Sequence, residues 1–460
     1  MFQKYIGDRA FYRRCLGVTI PIIVQNGITN FVSLLDNIMI GQIGTIPMSG
    51  VSIVNGLIFV FNLCIFGAFS GAGIFTAQFH GSKNQWGICY TFRFKFLICC
   101  LLAALGVGVF YQGGEWLIRL YLTGEGDTSM AQAILEEATK YLHIMLWGFL
   151  PFAITNTYSS TLKECGNTVI PMIGSVAAVL VNLFFNYILI FGHFGFPALG
   201  VEGAAIATVL SRFVELAVVV GWTHLHKKEN PYIQNVYRTP YIPLKLLKTI
   251  AVKGIPLLIN EALWSGGLAF LNQCYSTCGL DVVPALNISS TILNLASVAF
   301  LAIGTAVGII MGQMLGSGGS NDQIRDCNRK LLTLAIAIGI VFGGLMLPAS
   351  RLFPLLYNTD DSVRKLATWL ICINACTFPF NAYTNAAYFT LRSGGKTMVT
   401  FLFDSCFVWT VCVPLAYCLS RFTNMEIIPL FVICQSVELV KCLIGSCMIK
   451  QGRWIQNLTA

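Results

Sequence analysis

Twelve apolar runs, each close to the length of a bilayer-spanning helix, follow one another along the chain with almost no charge inside them. They lie near residues 15–40, 50–75, 96–114, 140–161, 169–192, 201–223, 254–278, 285–312, 331–348, 366–390, 398–419 and 427–449. A spanning helix needs roughly 20 predominantly apolar residues. Charged residues are only 11% of the chain, whereas a soluble domain carries about 25%. With a mean hydropathy of +0.72, there is too little polar surface to keep so many apolar segments in water. The expected fold is an all-α polytopic membrane protein with twelve transmembrane helices.

Loop charge orients the spans. Lys4, Arg9, Arg13 and Arg14 precede the first run. Lys83, Arg93, Lys95, Lys163, the basic stretch 224–253, Arg325, Arg329, Lys330, Arg392, Lys396, Lys450 and Arg453 fall on the same side if the helices alternate. The opposite loops hold only Arg119, Lys140, Arg351, Arg364, Lys365 and Arg421, so the balance is 21 to 6. By the positive-inside rule both termini are expected in the cytoplasm of a cell-membrane protein. The start, "MFQKYIGDRAFYRRC", is polar and basic and lacks the short apolar core of a cleavable signal peptide.

The chain divides in the middle. Residues 224–253 are basic and contain proline, and read as a cytoplasmic linker between an amino-terminal six-helix lobe (1–223) and a carboxy-terminal one (254–460). The halves repeat. "AQFHGS" (77–82) returns as "GQMLGS" (312–317), "PFAITN" (151–156) as "PFNAYTN" (379–385), "LKECGNT" (162–168) as "LRSGGKT" (391–397), and "IPIIVQN" (20–26) as "IPLLINE" (255–261). Six helices return the chain to the side it entered, so the repeats are parallel, a recurring plan of secondary transporters that bind substrate between the halves.

Several function classes are excluded at this stage. The net charge of +9 is not gathered into a basic stripe with interleaved aromatics, which argues against nucleic acid as a partner. The 17 cysteines show no C-x-x-C pair or Cys/His zinc spacing, and read as small apolar residues. An enzyme would need a clustered catalytic set. His193, His224 and His226 lie at helix ends, and His80 and His143 stand alone.

Polar residues at helical spacing mark inward faces, because lipid satisfies no polar group. The first helix carries Gln25, Asn26, Thr29, Asn30, Ser33, Asp36 and Asn37. Further stripes run through Asn156 and Ser159; Asn182 and Asn186; Glu261, Ser265 and Asn272; Asn287, Ser290 and Asn294; and Asn381, Thr384, Asn385 and Tyr388. Interhelical glue accounts for any single stripe, but six of them across both halves suggest hydrated cavities. Gln25, Thr29, Ser33, Asn156, Glu261, Ser265, Asn287, Asn381, Asn385 and Tyr388 are the candidate substrate-lining residues. Asp36 is the candidate coupling site: an acid at membrane depth must be paired, protonated or bound to a cation, and its own helix offers no base. Glu261 is its counterpart in the second half.

Other buried charges read as structural. Arg212 with Glu215, and Glu438 with Lys441, are three residues apart and can pair within one helix. Asp404 is expected to pair with Arg392 or Lys396. Glycines in "GAFSGAGIF" and "GTAVGIIMGQMLGSGGS" permit close helix approach. Pro21 and Pro256 sit near the start of the first helix of each half, where Pro21 either bends the helix or is accommodated in a first turn.

The chain resembles the multidrug and toxic compound extrusion (MATE) transporters over nearly its whole length. The resemblance rests on "IP…LLDNIMIGQIG", "GIFTAQFHGSKN", "LKECGNT…N-x3-N-YILIFG", "GFPALGVEGAAIATVLSRFVE", "GQMLGSGG", "LRSGGKT" and the final "W-x2-N". It implies twelve helices in two lobes and a cation-coupled antiporter that expels organic, often cationic, compounds. It also implies an ion site at Asp36, Asn182, Asn186 and Thr208. Asn186 departs from the Asp that many members carry, and no Asp lies between 366 and 390 where one branch has its second acid. The coupling ion is H+ or Na+, with no cofactor, no resident metal beyond a Na+ at Asp36, and a monomer is expected. The alternative, a flippase for lipid-linked oligosaccharides, calls for basic residues in the central cavity.

Overall fold

The computed structural model describes residues 4–122, 128–357, 359–423 and 425–459. Among them the regular structure is helical, and it forms the twelve spans that hydropathy predicts: α1 Arg9–Gly41, α2 Thr45–Gly81, α3 Gln85–Leu122, α4 128–164, α5 Val169–Phe191, α6 Val201–Leu225, α7 Leu244–Ser276, α8 Val282–Gly316, α9 Asn321–Leu352, α10 Asp361–Ser393, α11 Thr397–Phe422 and α12 Ile427–Gln451. Most helices outrun their apolar cores, because backbone hydrogen bonding continues into charged interfacial turns until something stops it. α7 begins straight after Pro243 and includes Lys245 and Lys248 before its apolar run. α12 stops at Gly452, whose φ of +71° is the left-handed geometry of a helix C-cap.

Ten of the twelve are long and apolar enough to cross a membrane by length and composition. α10 is diluted by its own polar stripe. α4 is interrupted by a 3-10 turn at Leu146–Gly148. The turn's Gly148 carbonyl accepts from Arg212 Nη1 at 3.2 Å, while the guanidinium lies 5.0 Å from the Phe152 ring centre. Arg212 therefore serves the break in α4 and does not pair with Glu215. α11 is irregular in a second way: Leu402–Cys406 and Val408–Cys412 are π-helical.

The Cα packing divides the chain into two compact units. One holds Val24–Thr76 and Gln85–Thr249, and the other Met1–Ile23, Ala77–Asn84 and Ile250–Ala460. This differs from a division by sequence halves, since the start of α1 and the end of α2 cluster with carboxy-terminal residues. Pro21 and Pro256 lie inside α1 and α7, so the first-turn placement does not hold.

The first unit is centred on Phe61, stacked on Phe149 at 4.1 Å, with Phe110 edge-on at 5.8 Å. In the second unit α8 is the most enclosed helix, with 67% of its apolar window buried. There the repeated motifs meet reciprocally. A Cβ on Gly81 would lie 2.0 Å from the Gln313 carbonyl oxygen, and one on Gly316 would lie 1.9 Å from that of Gln78. Each glycine of "AQFHGS" and "GQMLGS" is where the other strand of the repeat passes.

The linker is anchored within the first unit. Arg93 of α3 is buried and donates to the carbonyls of Asn235, Val236 (2.7 Å) and Tyr241 (2.9 Å). A 3-10 turn at Pro231–Asn235 precedes this grip. The ordered linker is thus shorter than 224–253, because α6 runs to Leu225 and α7 starts at Leu244. Arg93→Ala removes hydrogen bonds from a charged donor, each contributing about 1.5–3 kcal/mol. Cleavage by trypsin at Lys227, Lys228 and Arg238 in the folded protein is expected to accelerate about tenfold or more. Unchanged digestion would mean that the linker is held by other contacts.

Candidate functional site

α1 and α5 run side by side in one register. Gln25 Nε2 donates to Ser175 Oγ at 2.7 Å, and Asn186 Nδ2 donates to Asp36 Oδ1 at 2.6 Å, both pairs separated by 150 positions. Eleven residues, about three helical turns or roughly 16 Å, separate the two levels on each helix. α1 can present its polar face this way because Gln25, Thr29, Ser33 and Asp36 recur at steps of three and four.

At the Asp36 level a chain of neutral groups follows. Asn186 Nδ2 also donates to Asn182 Oδ1 at 3.1 Å, Asn182 Nδ2 donates to Thr208 Oγ1 at 3.3 Å, and Thr208 donates to the Ala204 carbonyl at 3.0 Å. Asn182 and Asn186 are four apart, hence one turn apart on the same face of α5, and both are buried. Asp36, Asn182, Asn186 and Thr208 are therefore brought together. Among the described residues no Lys, Arg or His forms an ion pair with Asp36. Asn186 Oδ1 is buried with no hydrogen-bond partner. An orphaned carbonyl oxygen beside a carboxylate suits a hard cation, which takes oxygen ligands.

At the Gln25 level, Ser175 Oγ passes the interaction on to Glu215 Oε1 at 2.6 Å. Glu215 is thus a half-buried acid joined to α1 through one hydroxyl. Sequence reasoning missed this link, as it missed Tyr141. That buried phenol lies within electrostatic reach of both Asp36 and Arg212, and comes within 3.5 Å of Asn55 Oδ1. An aromatic in an apolar run carries no signal of such a role. Asn55, an amide in the apolar middle of α2, did.

The candidate lining residues fall in both units. Gln25, Thr29, Ser33 and Asn156 belong to the first unit, and the other six to the second. Thr29 and Ser33 are exposed, and donate to their own helix at 2.8 and 3.1 Å. Asn156 likewise donates to Phe152 of its own helix. In the second unit Asn287 is exposed and Ser265 and Asn381 are half-buried. Asn385 lies over Gly304 of α8, where a Cβ would meet its Oδ1 at 1.9 Å. Tyr388 is buried within electrostatic reach of Glu261 and Arg392.

Two expected pairings give way to another. Lys441 does not pair with Glu438, nor Asp404 with Arg392 or Lys396. Lys441 Nζ pairs with Asp404 Oδ1 at 2.8 Å, and Asn260 Nδ2 donates to Asp404 Oδ2 at 3.1 Å. Glu438 accepts from Thr384. The π-helical turns explain the exchange: widening α11 lets the Ser405 N–H bond sideways to Asn260 Oδ1 at 3.3 Å. That draws Asp404 toward α7 and α12.

Twelve spanning helices with a polar interior and an acid held by neutral groups define a polytopic membrane transporter. The chain belongs to the MatE family, whose sequence profile matches residues 21–188 and 256–418. It is similar to a probable multidrug resistance protein NorM of Thermotoga maritima, at 24% identity over 93% of this chain and 90% of that one. It is also similar to a probable multidrug resistance protein YoeA of Bacillus subtilis, at 24% identity over 90% and 88%. Among solved structures, an outward-facing multidrug resistance MATE family transporter of the MOP superfamily shares the fold with a TM-score of 0.85, 18% identity and 98% coverage of both chains. The Vibrio cholerae MATE transporter VcmN does so at 0.84 and 17%, covering 97% of this chain and 98% of that one.

The Asp36–Asn186 contact can be weighed by a double-mutant cycle of Asp36→Asn and Asn186→Leu. Contacting residues couple by about 0.5–3 kcal/mol, and a coupling of about 1 kcal/mol or more is expected here. Thermal unfolding of the purified protein in detergent reads it. Strictly additive losses would show that the two side chains do not interact.

Proposed function

We propose that this protein is a cation-coupled antiporter that exports organic, cationic or amphipathic compounds across the cell membrane by alternating access. The observation that carries the reading is Asp36, an acid at membrane depth whose hydrogen-bond partner is an amide and not a base. Its charge has to be neutralised by something that comes and goes. A proton or Na+ arriving from outside does this, and differential affinity for it in two conformations shifts the balance between inward-open and outward-open forms. The multidrug names carried by the similar proteins support organic compounds as cargo.

The orphaned Asn186 Oδ1 supports a Na+ reading, and the single carboxylate at this level suits a monovalent ion or a proton equally. In the second unit Glu261, with Tyr388 within its electrostatic reach, is the candidate place where a cationic substrate is met. The flippase alternative is not favoured. It calls for free cations facing an anionic pyrophosphate, whereas Arg212 is engaged by Gly148 and Phe152 and Lys441 by Asp404. The protein is further proposed to act as a monomer without a resident cofactor.

In sealed vesicles driven separately by a pH gradient and a Na+ gradient, wild-type protein is expected to export a cationic dye under at least one of them. Asp36→Asn should fall to the level of protein-free vesicles while inserting normally. Wild-type transport by that variant would refute the mechanism. The loop-charge asymmetry supports a cytoplasmic position for both termini. Fluorescent-protein fusions at either end should fluoresce and alkaline phosphatase fusions there should be inactive; the reverse pattern would invert the topology.

A further inference from the structure

A cavity of about 360 Å³ opens between the ends of α9, α10 and α12, on the face where both chain ends lie. Its lining is sorted along the helices. On α9, Arg325, Arg329, Leu332 and Ile336 follow at steps of four, three and four, with Asn328 beside Arg329, so one face of the helix runs from charged to apolar. On α12, Lys450 and Ile449 stand together at the helix end, with Ser446 one turn deeper. Three cations ring the mouth and no carboxylate lines it.

Arg325 and Arg329 rest against neighbouring groups, and none of the three cations is neutralised. Among the described residues none of Arg325, Arg329 and Lys450 forms an ion pair. The Arg329 guanidinium lies 5.8 Å from the centre of the Tyr5 ring. Arg325 rests against Gly452, where a Cβ would come within 2.5 Å of its Nη2, so any other residue at that left-handed position would displace it. Of the nearby acids, Asp326 pairs with Lys330 at 2.6 Å, Asp8 accepts from the Phe11 N–H at 2.8 Å, and Asp322, in the first turn of α9, forms no ion pair with Arg325.

The uncharged polar groups are donors too. Asn328 Oδ1 accepts from Thr390 Oγ1 at 2.7 Å, leaving its amide nitrogen as the donor end. Tyr383 and Ser446 share one hydrogen bond of 2.5 Å between two hydroxyls, so one O–H hydrogen is left for another acceptor. The floor is rigid: Trp454 is 1% exposed, with its indole N–H on the Ile449 carbonyl at 3.1 Å.

A lining of donors and cations calls for an anion with several oxygens. The apolar continuation along Leu332, Ile336 and Ile449 calls for a hydrocarbon tail on the same molecule. The helix ends place the cations at the level where a bilayer carries its head groups. We propose that this groove binds an anionic phospholipid, its phosphate held by Arg325, Arg329 and Lys450 and an acyl chain lying against Ile336 and Ile449. The site belongs to the second unit and owes nothing to Asp36.

The test uses the full-length protein in detergent, with lipid retention read by native mass spectrometry. Phosphatidylglycerol, phosphatidylcholine and inorganic phosphate are titrated separately. Wild-type protein should retain phosphatidylglycerol at about tenfold lower concentration than phosphatidylcholine, the order expected for a few basic residues facing an anionic head group. Arg325→Gln with Arg329→Gln should abolish that preference and leave phosphatidylcholine binding unchanged. Lys450→Gln, a single change at an exposed position, should reduce the preference part of the way. Lys227→Gln with Lys228→Gln, which removes the same charge from the exposed linker, should keep it whole. A preference that survives in the Arg325/Arg329 variant overturns the proposal. So does displacement of bound phosphatidylglycerol by millimolar inorganic phosphate, which would make this a site for free phosphate.

Discussion

Hydrocarbon offers no hydrogen-bond donor or acceptor, and the placement of every polar group in the spans of this protein follows from that. Lys95 is buried against Glu164, with Ser160 and Thr161 around its ammonium. Lys441 is closed by Asp404, whose other oxygen accepts from Asn260. Arg212 takes the carbonyl released where α4 tightens into a 3-10 turn. In each case a buried charge meets an opposite charge or a backbone dipole. Asp36 is the contrast, because the groups gathered around it are amides and a hydroxyl. A carboxylate so placed accepts a hydrogen bond from an amide and has its charge left open.

The same constraint shapes the backbone. Where helices must pass closely, the repeated motifs supply glycine, and the approach of Gly81 to Gln313 is answered by that of Gly316 to Gln78. The two glutamines then bind the terminal segments. Gln313 Oε1 accepts from Arg14, and Gln78 donates to the carbonyls of Ser393 and Gln456 and accepts from the Leu458 N–H. One internal repeat thus serves the amino-terminal and carboxy-terminal segments alike. Irregular helix serves in a similar way. The π-helical turns of α11 free a backbone N–H inside the second unit, and Asn260 of α7 accepts it.

Much of this was legible in advance, and particular residues show why. A spanning helix is a local object: its hydrogen bonds are internal and its apolar length is set by the bilayer, so twelve runs of sequence became twelve helices. Asp36, Asn182 and Asn186 were legible because amides and acids in apolar runs are conspicuous, and a step of four puts two of them on one face. Tyr141 was not, since an aromatic residue among apolar ones is ordinary. Nor was the link from Gln25 through Ser175 to Glu215, which depends on α1 and α5 lying parallel in one register.

Sequence alone determined the number and order of the helices, the internal repeat and the presence of an acid at membrane depth. All three follow from hydropathy and spacing along one chain. Only the tertiary structure decided partners. Arg212 and Glu215, or Glu438 and Lys441, share a helix face, yet Gly148, Ser175, Thr384 and Asp404 claim them. Helical spacing lists the neighbours a side chain has on its own helix. Packing brings up others from adjacent helices, and a desolvated charge settles with whichever group satisfies it best.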